Sequence, residues 1–102
     1  MKLEKVISSD AKGKKWTAVF CLCKGESCCA DNKKKKVHFG AEGHSDYTLG
    51  ATDEQRKSYR ARHVSGKTAK VDTADALSYY ILWGYSRSRI QNIKDYKKKF
   101  SV

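Results

Sequence analysis

KWTAVFCLC, residues 15–23, is the stretch on which the fold turns. Alternation along a strand sends Trp16, Ala18, Phe20 and Leu22 to one face and Thr17, Val19, Cys21 and Cys23 to the other. Both faces are largely apolar, so the segment predicts a central strand or one lying in an interface. Upstream, Lys2 to Ser8 has the pattern of a second strand, with Leu3 and Ile7 on one face and Val6 on the other. Asp10-Ala11-Lys12-Gly13 supplies the Asp and Gly of a tight hairpin between the two. Downstream, KGESCCADN (residues 24–32) has turn composition and leads to a third strand, Lys34 to Phe39. There Lys35, Val37 and Phe39 share one face, and Lys34, Lys36 and His38 the other. Gly40 and Gly43 bracket a turn that calls for positive φ. Ser45 to Thr48 then reads as a loop whose short polar side chains satisfy local backbone groups.

The second half is helical. Thr52-Asp53-Glu54-Gln55 is a capping box that starts a helix running to about His63. Its apolar face is thin, and Arg56, Arg60 and His63 form one stripe with Lys57 beside them. Val64 to Val71 reads as a flexible basic loop carrying Gly66, Lys67 and Lys70. Asp72 or Thr73 caps a helix from Ala74 to about Trp83, with Leu77, Tyr80, Ile81 and Gly84 on one stripe; it is apolar nearly all round and so predicted to be buried. Gly84 is expected to end it as the C′ residue. A last helix starts at Arg87 or Ser88 and runs to Phe100, with Ile90, Ile93, Tyr96 or Lys97, and Phe100 facing inward. Strands first and helices after predict an α+β fold: an antiparallel sheet of about three N-terminal strands with about three C-terminal helices packed on it. The expected core is Trp16, Phe20, Val37, Phe39, Leu77, Ile81, Trp83 and Ile93.

The 102 residues predict a single domain spanning 1–102. No apolar run approaches the roughly 20 residues that span a bilayer, and MKLEKVISSD lacks the apolar stretch of a secretory signal. The expectation is a soluble protein with no membrane partner, outside the usual secretory route. The net charge is +11, from 22 Lys+Arg against 11 Asp+Glu. Residues 1–32 hold 6 basic and 4 acidic side chains, whereas residues 33–102 hold 16 and 7. Such a balance favours a polyanionic partner, nucleic acid before an anionic surface, although charge alone also serves solubility.

Few residues suggest catalysis. Cys21-x-Cys23-x4-Cys28-Cys29, with His38 and His44 further on, has the ligand types of a zinc site but not the spacing of knuckles or fingers. In a reducing compartment Cys21 and Cys23 read as small packing residues, and Cys28 and Cys29 as free loop thiols. His38, His44, Asp46 and His63 make a weak acid–base grouping; His38 as a half-buried strand residue and Asp46 as a turn former explain them more simply. No nucleophile elbow, P-loop or His-Glu-x-x-His is present. The expectation is no enzyme, no cofactor, no metal and no small-molecule substrate.

Basic clusters carry the functional reading. They are Lys33, Lys34, Lys35 and Lys36; Arg56, Lys57, Arg60 and Arg62; and Arg87 and Arg89, continued by Lys94 and Lys97 to Lys99. Each of the first ten is assigned as a phosphate contact, since basic side chains release counterions from nucleic acid with little regard to sequence. Tyr47, Tyr59 and Tyr85 lie close by in the chain, suited to stacking on bases or packing on sugars. No specific recognition motif is visible. The lysine run also has simpler uses, as a solvated strand start that protects a sheet edge or as a weak nuclear address.

VHFGAEGHSDYT (residues 37–48), RKSYRARH (56–63, one position away from R-K-x-x-Y-x-x-R-H), TADALSYYILWG (73–84) and IKDYKKKF (93–100) together resemble a known family. It consists of small uncharacterised proteins encoded by large DNA viruses of algae and amoebae, of phycodnavirus, mimivirus and marseillevirus type. The likeness runs over about residues 15–102, and KGESCCADN departs from it. The resemblance implies a basic virus-encoded protein packaged in the virion, with no catalytic residues to carry over. Combined with the charge, it predicts non-specific DNA binding that coats or condenses a genome, in the virion and in host cytoplasm or nucleus during infection. The competing reading is a protein–protein module of the virion, or one that engages acidic host proteins. A homodimer is a further expectation, because a two-faced apolar strand in so short a chain leaves surface to cover.

Overall fold

The structure, a computed structural model, describes residues 1–22 and 34–102. KWTAVFC, residues 15–21, lies mid-sheet. β2 (Lys14–Cys21) is flanked by β1 (Lys2–Ser8) and β3 (Lys34–Ala41) in an antiparallel meander of order β1-β2-β3. Residues Thr17, Ala18, Val19, Phe20 and Cys21 are each no more than 2% exposed, so both faces of the strand are covered, as its apolar pattern requires. A 3-10 turn at Tyr47–Leu49 leads to α1 (Asp53–Arg62), the short α2 (Ser65–Thr68) and α3 (Ala74–Leu77). A π-wound segment, Ser78–Leu82, continues α3, and α4 (Arg89–Phe100) ends the fold. The architecture is α+β.

Short polar residues set the helix starts. The capping box is complete: Gln55 N donates to Thr52 Oγ1 (3.1 Å) and Thr52 N to Gln55 Oε1 (2.8 Å). Thr73, not Asp72, caps α3, and Ser88 caps α4. The helices close over one apolar cluster built on Leu3, Ala18, Phe20, Phe39, Leu77, Ile81, Leu82 and Tyr96. Every expected core residue is in it or packs on it, with Trp16, Val37, Trp83 and Ile93 at its edge. Tyr96 ties the cluster to the chain outside it by donating its hydroxyl to the Val71 carbonyl.

Several expectations are corrected. The sheet register shifts between Leu3 and Lys5, so Leu3 pairs with Phe20 and Val6 with Ala18. The bulge puts Leu3 and Val6 on the core side and leaves Ile7 42% exposed, the reverse of strict alternation. Gly84 follows the cap Trp83 as the expected C′ residue, but without a left-handed φ. It is small because a Cβ there would sit 2.2 Å from Tyr80 O and 2.9 Å from Asn92 Cγ. Residues 64–71 are not an open loop, since α2 forms there and Gly66 is buried against Tyr79. Ile90 is 62% exposed, and the inner face of α4 is Asn92, Ile93, Tyr96 and Phe100 instead. Cys21 is wholly buried but is not a free thiol. The readings of Cys23, Cys28, Cys29 and Lys33 fall outside the described residues. Among the described residues no helix is long and apolar enough to cross a membrane.

Candidate nucleic-acid interface

The lysine run divides by the pleat of β3. Lys34 lies on the outer sheet face, where its Nζ is 3.2 Å from Glu4 Oε2. Lys35 points to the helical side and reaches Asp72 Oδ2 at 2.8 Å; this hydrogen bond holds the Asp72 carboxyl below its ordinary value. Lys36 is exposed on the outer face, paired across the sheet with Val19, whose other neighbour is Lys5. One rung along, Cys21 lies between Lys2 and Lys34. Thus both edge strands carry lysines beside a buried central strand, an arrangement that leaves positive charge along the sheet edges.

The arginines of α1 turn towards the end of the buried helix. Trp83 N donates to Ser78 O rather than to Tyr79 O, the spacing of a π turn. Arg60 Nη1 fills the gap, donating to Tyr79 O (3.1 Å) and Trp83 O (2.8 Å), while Arg56 Nε donates to Gly84 O (2.7 Å). Arg87 arrives from the segment before α4, donates to Ala51 O (2.9 Å) and comes within 3.7 Å of Asp53. The three guanidiniums interleave with tyrosines. Arg87 lies 4.2 Å and Arg56 5.5 Å from the Tyr47 ring, and Arg56 and Arg60 lie 5.0 and 5.5 Å from the Tyr85 ring. Tyr47 donates its hydroxyl to Asp53 (2.6 Å), and that bond raises the pKa of the phenol. Tyr85 is 82% exposed.

Of the ten assigned phosphate contacts, Arg56, Arg60 and Arg87 therefore gather into one cluster. Lys57 and Arg62 are exposed on the same helix, with Arg62 Nε donating to Ser58 O (3.3 Å). Lys34, Lys35 and Lys36 lie apart on the sheet. Arg89 is placed differently: its guanidinium stacks 3.8 Å from the Trp16 ring and its Nε is buried. Tyr59 is also committed internally, stacked between His63 (4.1 Å) and Trp83 (4.4 Å), and burial raises its pKa.

A cleft of about 930 Å³ between α1 and the end of the sheet brings His44, Asp46 and His63 to its walls. His38 is elsewhere, its Nδ1 2.7 Å from Thr17 Oγ1 and 3.2 Å from Ser9 Oγ. Asp46 is 1% exposed and fully engaged: it accepts from Lys15 Nζ (2.7 Å), Thr48 N (2.9 Å) and Thr48 Oγ1 (2.5 Å). Its role is to fold the Ser45–Thr48 loop onto β2, the turn-forming role expected of it. Among the described residues no three His, Cys, Asp or Glu side chains converge to hold a metal ion.

Sequence reasoning missed Asn92. It is 2% exposed, donates Nδ2 to Ile81 O (2.8 Å) and Ser86 O (2.7 Å), and accepts from Ser86 N (3.0 Å). This fixes the 84–87 connection and with it the placement of Tyr85 and Arg87. Its only signal was a polar residue inside an apolar period, which periodicity discounts.

Comparison with known proteins adds family but not role. A family model described as a family of unknown function, DUF5754, matches residues 4–63. An uncharacterised protein of Acanthamoeba polyphaga mimivirus is 38% identical over 87 residues, covering 78% of this chain and 79% of that protein. No solved structure matches.

Proposed function

The chain belongs to the DUF5754 family of unknown function, and we propose that it is a virus-encoded basic protein that binds DNA without sequence preference, coating or condensing a genome in the virion. The observation that carries this is the Arg56–Arg60–Arg87 cluster. Its guanidiniums are held chiefly by backbone carbonyls. A carbonyl fixes the position of a cation without cancelling its charge, so the cluster is preorganised for phosphate, with Asp53 beside Arg87 the opposing carboxylate among the ion pairs of the described residues. Ion pairs among the described residues engage four cations, Lys15, Lys34, Lys35 and Arg87. In a chain of net charge +11 this leaves a surplus for a polyanion. The mimivirus relative supports a viral setting. Virion packaging, and presence in host cytoplasm or nucleus, are part of the same proposal.

No catalytic step, cofactor or small-molecule substrate enters this reading. Dimerisation does not enter it either. The second apolar face that suggested a dimer, Thr17, Val19 and Cys21, is buried within one chain.

The test is titration onto random duplexes of increasing length. Bound protein should rise in proportion to length, whatever the sequence. Saturation at one protein per duplex, with tighter binding to an acidic polypeptide at fixed stoichiometry, would instead make this an interaction module for acidic proteins.

A further inference from the structure

Between α1, α2 and α4 lies a groove of about 250 Å³, separate from the cleft that holds His44 and Asp46. Three cations line it, Arg60, Lys67 and Lys99, together with the rings of Tyr80, Tyr85 and Tyr96. Among the described residues Asp95 is the one carboxylate on the lining, and it accepts from Gln91 Nε2 (3.0 Å). The volume is below the roughly 300–1,000 Å³ of most small-molecule sites, which suits one planar group rather than a larger ligand.

Tyr85 stands out on the rim. A ring 82% exposed gives up apolar burial, yet this one is held in place. Asn92 pins the backbone next to it through Ser86, and the Arg56 and Arg60 guanidiniums lie over the ring, 5.0 and 5.5 Å from its centroid. An open aromatic face beside a positively charged groove is the arrangement on which unpaired bases stack while phosphates follow the cations. In duplex DNA the base faces are already stacked and are closed to such a ring.

We propose that this groove binds single-stranded DNA, with one base stacked on Tyr85 and the adjoining phosphates on Arg60, Lys67 and Lys99. The inference rests on the DNA-binding reading and deepens it. A protein that grips backbones through arginine and lysine, and also holds an unpaired base, would prefer melted or unpaired segments of the genome it coats.

Fluorescence anisotropy of the full chain tests this, with labelled oligothymidine and a random duplex of equal length at one salt concentration. The ratio of single-strand to duplex affinity is the readout. It should favour the single strand, fall about tenfold in Tyr85→Ala and be retained in Tyr85→Phe. The exposed ring makes both variants safe for folding, and circular dichroism checks that. A ratio unchanged in Tyr85→Ala, or lost equally in both variants, overturns the stacking site. Duplex binding that survives such a result leaves the coating function standing, whereas no binding to either DNA removes both.

Discussion

Asn92 and Asp46 are polar side chains closed off from water, and each is satisfied by several partners that stitch separate segments together. Removing Asn92 strands the Ile81 carbonyl in the interior and leaves the part-buried Ser86 amide without this partner. Asn92→Ala should therefore cost about 2–6 kcal/mol, at about 1–3 kcal/mol for each of the two groups left unpaired, read from urea unfolding. A loss within about 0.5 kcal/mol would mean water replaces the amide. The Lys35–Asp72 pair makes a different claim. Its carboxyl is held below the unfolded value of about 3.9, so it adds stability above that pH and loses it as the pH falls through the folded value. The urea midpoints of the native chain and Lys35→Met should differ at pH 7 and converge as the pH falls below the folded value of Asp72. The gap will be small, because Lys35 is 46% exposed. The turn-forming role of Asp46 was legible, since Ser-Asp-x-Thr is loop chemistry. Asn92 was not, because nothing local separates a buried asparagine from a solvated one.

At the scale of elements, the caps carried most of the readable information. Thr52 with Gln55, Thr73 and Ser88 each start a helix at or within a residue of the place their side chains suggest. Alternation correctly split Lys35, Val37 and Phe39 from Lys34, Lys36 and His38, because β3 pairs in steady register. It failed for β1, where one irregularity between Leu3 and Lys5 reverses every later side chain and leaves no mark in composition. The π segment was equally silent, yet it frees the Tyr79 carbonyl that Arg60 takes. At Gly84 the helix end packs directly on Asn92 of α4, 2.9 Å from where a Cβ would sit. Gly84→Ala drives a methyl into the Tyr80 carbonyl and Asn92, neither of which yields cheaply. It should destabilise by roughly 1–3 kcal/mol in thermal or urea unfolding. A neutral effect would show that the helix end can shift and that the arginine cluster built on it is not fixed.

Across the whole molecule the fold class followed from order alone, strands before helices, and the core from the apolar positions in KWTAVFC and in the helix from Ala74. The candidate interface was legible only in parts. The sequence shows three basic clusters, but it cannot show that two of them merge around Tyr47 and Tyr85 while Arg89 turns onto Trp16. That merger is a tertiary event, fixed by Asn92 and the 84–87 connection. It concentrates guanidinium charge from residues 31 positions apart, Arg56 and Arg87, on one patch.

Fluorescence anisotropy of the chain with a random DNA duplex across a salt series tests the central claim most directly. Binding is expected at low salt, with log affinity falling linearly against log salt at a slope of about −0.9 for each phosphate engaged. Arg87→Ala should weaken binding to all sequences alike and make the slope shallower by about one unit. No binding at low salt, despite the net charge of +11, would contradict the account, and so would an affinity indifferent to salt.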